Sequence, residues 1–357
     1  MAGLLNVIMT DQKPRVRPYI RDLLERAKRE HGSGSDAYLG IYNQYFRMPR
    51  KEPGIARGTR HYNALGDLPE GLERLYRRVV VIDMLSACSS ECVFCIRGLY
   101  DPHTLKDGQI SQILKYLARD EHLEEVLITG GDPLIATRKL DELVSGIAAA
   151  APNIKVARIG TRLPVQDPLA FSDATYELFR RHSKRFLFEI SLQVNHPFEL
   201  QTEAVEVIQR LSDCGVRVHS QNVILKGVND NLNTLLDLYD RLRALRVIPH
   251  YLFHAVPMVG TDEFRTSVAR ALELSAQLND GGFLSGLGKP KFAIMTAVGK
   301  VVPAPGSILA DRDGTLTIRT SYRLEDRLRW NPGYVLPESA TVNELGTLDV
   351  QYVDGED

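Results

Sequence analysis

The chain has 357 residues, 44% of them hydrophobic and 25% charged, and its formal net charge is −1. This is the composition of an ordinary globular protein, long enough to bury a sizeable core in one large domain or in two. Because the charges balance, there is no electrostatic reason to expect nucleic acid or an anionic membrane as a partner. The four cysteines do not indicate a disulfide scaffold, and the apolar residues 4–9 are too few for a signal peptide or membrane span. We therefore expect a cytoplasmic protein.

The chain begins with an amphipathic helix, predicted over residues 13–31, and from residue 78 onward short β-branched runs alternate with helical patterns. The predicted strands are 79–84, 126–129, 156–159, 186–192, 216–225 and 249–253. Helices are predicted near 108–119, 138–150, 172–182, 198–213, 231–245 and 265–279. This alternation indicates an α/β fold with a parallel sheet, either doubly wound or an incomplete barrel. In both folds the reactive groups follow the carboxyl ends of the strands.

The last part of the sequence changes character. Residues 291–302 are apolar around a Gly-Lys pair, and a turn at 311–314 leads into an alternating strand at 315–321. Beyond Trp330 the acidic tail is expected to be partly mobile. We divide the chain into an N-terminal helical and loop extension (1–73), a barrel (74–290) and a C-terminal segment with a lysine, a hairpin and a tail (291–357).

Three cysteines, Cys88, Cys92 and Cys95, follow the first long strand with the spacing C-x3-C-x2-C. Thiolates are the ligands of iron–sulfur clusters, and a four-iron cluster with three of them keeps one iron open to a small chelating molecule. The spacing resembles that of radical S-adenosylmethionine (SAM) enzymes, in which SAM chelates the open iron and its reductive cleavage yields a 5′-deoxyadenosyl radical. The alternative is a structural zinc site with His103 as fourth ligand, although zinc cysteines usually come as pairs far apart in sequence.

Other candidate site residues follow the predicted strands or lie among apolar neighbours. Gly130, Gly131 and Asp132 come directly after the second strand. There the glycines would let the backbone approach a ligand or simply form a tight turn. Arg97 could clamp a carboxylate, or be an ordinary exposed arginine. Lys300 could be a desolvated lysine able to form a Schiff base, or a lysine whose ammonium reaches solvent at a strand edge.

Several longer stretches resemble the lysine 2,3-aminomutase family, which are radical SAM enzymes that also use pyridoxal phosphate (PLP). The matching stretches are residues 127–134, 158–165 and 195–231, and the one that begins at Asp262. The resemblance implies a partial (β/α)6 barrel of the TIM type, assembled as a homo-oligomer. It also implies a 4Fe–4S cluster, SAM and PLP as cofactors, a free amino acid as substrate, and an external electron donor of the flavodoxin or ferredoxin type.

The resemblance assigns roles to individual residues. Cys88, Cys92 and Cys95 match the cluster ligands, Arg97 the arginine that holds the substrate carboxylate, and Lys300 the lysine that binds PLP covalently. Gly130, Gly131 and Asp132 match the motif at the SAM amino group, Gln221 a glutamine near SAM and PLP, and Arg74 an arginine on the cofactor phosphate.

The departures from the family concern the substrate. Lysine-specific members have two aspartates that neutralise the distal ammonium, and the corresponding positions here are Val256 and Ala293. An ammonium without a counter-charge would cost several kcal/mol, so free lysine should be a poor substrate. In addition, Phe253 replaces a tyrosine that faces the PLP ring, and the family's C-terminal zinc cysteines are absent, so no structural zinc is expected.

The sequence therefore predicts an aminomutase that moves the α-amino group of an uncharged or apolar amino acid to the β-carbon. Two alternatives stay open. One is another radical SAM reaction, namely PLP-assisted epimerisation or elimination, or modification of a peptide. The other is a non-catalytic protein whose cysteines hold a metal or a passive cluster.

Overall fold

A computed structural model of the protein describes residues 15–47, 68–95, 102–257 and 261–357. Two helices come first, α1 (Pro18–His31) and α2 (Asp36–Tyr45). The predicted amphipathic helix is confirmed as α1, which begins at Pro18 because proline is favoured in the first helical turn. Its apolar stripe is buried, and Ser35 caps α2 by accepting a hydrogen bond from the Tyr38 amide.

The centre of the molecule is a sheet whose nine strands lie side by side in sequence order. They are β1 (Leu72–Glu73), β2 (Val79–Leu85), β3 (Glu125–Gly130), β4 (Val156–Thr161), β5 (Leu187–Leu192), β6 (Arg217–Ile224), β7 (Ile248–His254), β8 (Lys291–Thr296) and β9 (Gly299–Val301). Neighbours from β2 to β8 pair in parallel, whereas β1 and β9 pair antiparallel at the two edges. The six predicted strands are confirmed as β2 to β7, and β8 adds a seventh parallel strand.

The connections between the parallel strands are helical. The helices are α3 (Asp107–Arg119), α4 (Thr137–Ala150), α5 (Leu163–Gln166), α6 (Asp173–His182), α7 (Thr202–Asp213), α8 (Leu232–Ala244) and α9 (Val268–Asp280). Apart from the short α5, each confirms a helix predicted from the apolar pattern. Within the described ranges, no helix has the length and apolarity that crossing a bilayer requires.

The two faces of the sheet have different neighbours, and this defines the barrel. On one face, residues such as Val126 and Ile128 are fully buried in a hydrophobic cluster with helix residues such as Leu143. On the other face, one residue from each of five successive strands lines a single cavity: Leu127, Arg158, Ser191, Gln221 and Phe253. The sheet therefore curves around this cavity with the helices outside. This is the predicted incomplete TIM-type (β/α)6 barrel, since the strand order begins at β1 and ends at β9 without closure.

The part of the C-terminal segment that follows β9 forms a second sheet. Its elements are β10 (Ile308–Arg312), β11 (Thr315–Arg319), α10 (Leu324–Trp330), β12 (Ala340–Val342) and β13 (Leu348–Val353), and the strands are antiparallel in the order β10-β11-β13-β12. The predicted hairpin is confirmed, with positive φ at Asp313 and Gly314 in its turn.

The tail, which was expected to be partly mobile, instead packs against the barrel. The fully buried Arg265, in the segment after β7, donates hydrogen bonds to the carbonyls of Val353 and Asp354. At the end of the chain, Ser267 donates to the carboxylate of Asp357. The acidic composition suggested a mobile tail, but the backbone and carboxylate oxygens of the tail accept specific hydrogen bonds from the barrel.

Candidate active site

A cavity of about 290 Å³ lies inside the curved sheet, towards the carboxyl ends of the parallel strands. The predicted site residues that line it are Cys88, Cys92, Cys95, Gly130, Gly131, Asp132, Gln221, Val256 and Lys300. Arg97 lies outside the described residues. The structure thus brings the three cysteines and Lys300, which are more than 200 residues apart in sequence, to the walls of one cavity.

The cysteine loop follows β2 and is held by two other parts of the chain. From the barrel, the amide of Asp132 donates to the Ala87 carbonyl (2.8 Å). From the N-terminal extension, the carbonyl of Gln44 in α2 accepts from the Val93 amide (3.0 Å), and the carbonyl of Arg15 accepts from the Glu91 amide (2.9 Å). The N-terminal extension, which carried no recognisable chemistry in the sequence, therefore positions the cysteine loop.

The three cysteines in this loop are free thiols. Burial raises the pKa of Cys92 to about 11 and also raises that of Cys88, whereas a coordinated metal would deprotonate both. Three thiols on one wall form the donor set of a cluster with one open iron, and they fit such a cluster chemically.

The zinc alternative requires a fourth ligand near these thiols. His103 lies elsewhere, with its Nε2 3.0 Å from Asp83 Oδ1, and it is not among the residues that line the cavity. In the part of the chain that the structure describes, no three His, Cys, Asp or Glu side chains form a group that could hold a metal ion. A four-iron cluster is wider than a single ion, and its thiolates bind separate irons.

The Gly-Gly-Asp turn at the end of β3 contacts the ends of the two neighbouring strands, β2 and β4. A Cβ atom at Gly130 would lie 2.1 Å from the Leu85 carbonyl oxygen, and one at Gly131 would lie 2.0 Å from that of Ala87. Gly130 is therefore needed for close packing on the end of β2, and Gly131 for close packing on the start of the cysteine loop. The two oxygens of Asp132 accept hydrogen bonds from the Thr161 hydroxyl and from the backbone amides that follow β4. Burial raises the pKa of Asp132 to about 6. The role of this motif in binding SAM stays a prediction.

Lys300 lies in β9 with its amine inside an aromatic enclosure. Nζ is 4.4 Å from the ring centroid of Tyr251 and 5.6 Å from that of Phe253. Burial, helped by the positive charge of Arg158, lowers the pKa of Lys300 to about 8. A lysine in this state is a nucleophilic amine close to neutral pH.

Two tyrosines fix the backbone of Lys300. Tyr322 donates its hydroxyl to the Lys300 carbonyl (2.6 Å), and the Lys300 amide donates to the Tyr76 hydroxyl (3.3 Å). Arg327 in α10 stacks on the Tyr322 ring at 4.3 Å. The sequence analysis missed these three residues because they form no motif and come from segments distant from Lys300.

Arg74 does not line the cavity that the described residues enclose. It is 1% exposed, and its Nη1 bonds the Asp120 carboxylate (2.5 Å) and the Tyr116 hydroxyl (2.6 Å). Its guanidinium is thus engaged within the protein. The predicted role on the cofactor phosphate is not supported by a contact, and it stays a prediction.

The arginines in the cavity wall pair with carboxylates of the protein that do not themselves line the cavity. Arg158 lies 2.9 Å from both Glu125 and Glu189, and Arg162 lies 2.6 Å from Glu199.

The hydroxyl of Ser191 faces the cavity and is buried without a hydrogen-bond partner in the described part of the chain. An unpaired buried hydroxyl is what a polar ligand in this cavity would satisfy.

His254, which could have supplied polarity near Val256, is fully engaged. Its Nε2 donates to the Thr266 carbonyl (2.8 Å), which leaves Nδ1 to accept from the Tyr352 hydroxyl at 2.6 Å. Burial and the charge of Arg265 lower the pKa of His254 to about 3, so the ring is neutral. His254 therefore presents no free ring nitrogen to the cavity next to Val256.

Comparisons with known proteins identify relatives of this chain. A provisionally named L-lysine 2,3-aminomutase of Aquifex aeolicus is 34% identical over 240 residues, which are 66% of this chain and 63% of that protein. The L-lysine 2,3-aminomutase of Acetoanaerobium sticklandii is 31% identical, over 68% of this chain and 56% of that protein. The chain belongs to the lysine 2,3-aminomutase family. Another member, the glutamate 2,3-aminomutase of Clostridioides difficile, is 29% identical over 62% of this chain and 52% of that protein.

The chain spans between half and two thirds of the length of these family members. No protein-family model matches it. Among solved structures, a radical SAM methyltransferase from Sphaerobacter thermophilus has 17% sequence identity and a TM-score of 0.47, over 62% of this chain and 68% of that one. At this level of similarity the methyltransferase does not bear on what the chain does.

Proposed function

We propose that the protein is a radical SAM, PLP-dependent isomerase that moves the α-amino group of a free amino acid to its β-carbon. The observation that carries the proposal is that the three cysteines and Lys300 line one cavity. The names of the family members, lysine and glutamate 2,3-aminomutase, support the reaction class. The proposal includes an external electron donor of the flavodoxin or ferredoxin type and a homo-oligomer.

Each cofactor has residues that could hold it. Cys88, Cys92 and Cys95 would bind a 4Fe–4S cluster, and Lys300 would bind PLP through Nζ. When bound, the cluster with SAM supplies a radical able to abstract hydrogen, and PLP supplies a conjugated ring that delocalises an unpaired electron. Arg97 remains the proposed clamp for the substrate carboxylate, as its position in the sequence implies.

The protein's own contribution is to prepare and enclose the reacting groups. Because burial lowers the pKa of Lys300 to about 8, roughly half of its amine is neutral at pH 8. This neutral fraction can bind an aldehyde without first losing a proton to solvent. Tyr251 and Phe253 pack against this amine, which limits the access of water to it. Excluding water would protect a reactive radical from side reactions.

The charges in the cavity favour a substrate with an uncharged side chain. Asp132 is the one carboxylate among the described lining residues, and its oxygens already accept hydrogen bonds. The arginines of the wall face carboxylates of the protein: Arg158 with Glu125 and Glu189, Arg162 with Glu199, and Arg265 with Asp262. Among the described lining residues, a charged side chain of either sign would therefore find no free carboxylate or arginine as a partner.

The apolar part of the wall points to the same substrate class. It includes Phe94, Val223, Ala255, Val256 and Phe264. Burial of an aliphatic or aromatic side chain against such residues is favourable by roughly 25 cal/mol for each Å² removed from water. We therefore infer that the substrate is an apolar or otherwise uncharged amino acid.

The experiment begins with protein purified without oxygen and reconstituted with iron, sulfide and PLP. With SAM and a reductant it should form 5′-deoxyadenosine, and the Cys95→Ala variant should not. Each common amino acid is then added separately, and β-isomers are sought by chromatography. Isomers of uncharged amino acids, with little turnover of lysine or glutamate, are the expected result. Formation of 5′-deoxyadenosine without any isomer would favour another radical reaction, and its absence would favour a non-catalytic cluster protein.

A further inference from the structure

Two side chains outside the cysteine loop donate hydrogen bonds to one cysteine sulfur. Arg162 Nη1 lies 2.9 Å from Cys92 Sγ, and Gln166 Nε2 lies 3.1 Å from the same atom. Both donors come from the segment after β4, and both line the cavity. Within the described residues, no side chain donates in this way to Cys88 or Cys95, so the arrangement singles out the middle cysteine.

Arg162 is held in this position by hydrogen bonds and by aromatic contacts. Its Nη2 donates to Glu199 (2.6 Å) and to the Gln44 side chain (2.9 Å). Its guanidinium carbon also lies 5.2 Å from the ring centroid of Tyr45 and 5.3 Å from that of Phe94. Arg162 is 6% exposed and Glu199 0%. Such a guanidinium cannot swing away from the sulfur without breaking a buried ion pair.

We propose that Arg162 and Gln166 are positioning residues that raise the reduction potential of an iron–sulfur cluster bound at Cys92. This inference rests on the proposed function only in that the cysteines hold a cluster. An N–H group aimed at a thiolate stabilises the cluster most when the cluster carries most negative charge, which is after reduction. The positive charge of Arg162 acts in the same direction. Outer partners of this kind orient a ligand and tune its metal.

The arrangement would also make the three sulfurs unequal. The iron bound at Cys92 would face two donors, whereas those at the other cysteines would face none from the described residues. Added electron density should therefore be favoured on the iron at Cys92. The N-terminal helix α2 takes part because Gln44 and Tyr45 hold the arginine, which gives this extension a role in the chemistry of the site.

The test measures the midpoint potential of the reconstituted cluster by redox titration followed by electron paramagnetic resonance, without SAM or substrate. In Gln166→Leu the side chain keeps a similar size and loses its N–H group. The expected result is a more negative midpoint with unchanged iron content. The matched control is Gln193→Leu, because Gln193 lines the same cavity and donates to no sulfur within the described part of the chain. Its midpoint should equal that of the unaltered protein.

Arg162→Lys is the second variant. Lysine keeps the positive charge but lacks the planar guanidinium that bonds Cys92 and Glu199 at the same time. A more negative midpoint there would support the inference, and if this variant does not fold, Gln166→Leu decides alone. An unshifted midpoint in Gln166→Leu would overturn the inference while leaving the proposed function intact. An unaltered protein that binds no iron–sulfur cluster would instead overturn the proposed function, and this inference with it.

Discussion

The lowered pKa of Lys300 predicts how its reactivity should depend on pH. Burial, with a further contribution from Arg158, lowers this pKa from the ordinary value of 10.5 to about 8. Only the neutral amine attacks an aldehyde, so reactivity should appear as the pH rises through about 8 rather than 10.5. Because one pKa unit changes the equilibrium tenfold, the neutral fraction near pH 7 should be about 300-fold larger than for an unperturbed lysine.

Changes to two neighbouring charges should move the pKa of Lys300 in opposite directions. Arg158 disfavours a second positive charge nearby, so Arg158→Met should raise the pKa of Lys300. Glu125 favours the charged lysine, so Glu125→Gln should lower it. The two shifts have opposite signs, and a general loosening of the barrel would not produce them together.

The assay uses the protein without PLP, mixed with PLP at a series of pH values and reduced with borohydride. Mass spectrometry of a digest then gives the yield of the pyridoxyl group on the peptide that contains Lys300. The exposed Lys155, whose side chain is 71% accessible, serves as an internal reference in the same digest, and Lys300→Arg serves as the blank. If Lys300 were modified along the same pH curve as Lys155, the reasoning from burial would be refuted.

Three further changes test the framework of the site. Glu199→Gln should lower the free energy of unfolding in urea by roughly 3–5 kcal/mol because it leaves the buried Arg162 without its counter-charge. The surface control Glu124→Gln should lower it by less than about 1 kcal/mol. Equal losses in the two variants would contradict the buried pairing. Tyr352→Phe should lower stability by roughly 1–3 kcal/mol because the buried Nδ1 of His254 and the Ala255 carbonyl both lose a hydroxyl partner. An unchanged unfolding midpoint would contradict these hydrogen bonds. Gly131→Ala should reduce the iron retained after reconstitution, since the new Cβ would displace the cysteine loop, and full retention would show that the loop can yield.

The parallel strands could be predicted because their patterns are local. Each strand from β2 to β7 is a short β-branched run followed by a helical period, and no distant contact is needed to recognise it. Residues 291–302, which contain β8 and β9, form an apolar run around a Gly-Lys pair, so the sequence suggested a separate C-terminal segment. Its place in the sheet depends on pairing with β7, which local periodicity does not encode.

The candidate site was predictable where a single loop carries the chemistry. Cys88, Cys92 and Cys95 share one loop, so their spacing alone indicated a cluster. The partners of these groups come from elsewhere in the chain, as with Arg162 on Cys92. For Arg74 the resemblance suggested a phosphate ligand, and this role stays a prediction; the structure adds that its guanidinium bonds Asp120 and Tyr116. Which atoms a buried guanidinium reaches is a property of the folded chain.

The C-terminal segment is therefore part of the site although the resemblance found in the sequence ends near residue 302. Tyr322 holds the backbone of Lys300, and Tyr352 holds the imidazole of His254 in the cavity wall. These contacts fix two walls of the cavity from outside the family-like stretch. Lys300 and His254 are thus positioned by residues beyond the stretch in which the sequence resembles the family. The proposed substrate class therefore rests on the apolar wall around Val256 and on the arginines paired within the protein, and not on the names of the relatives.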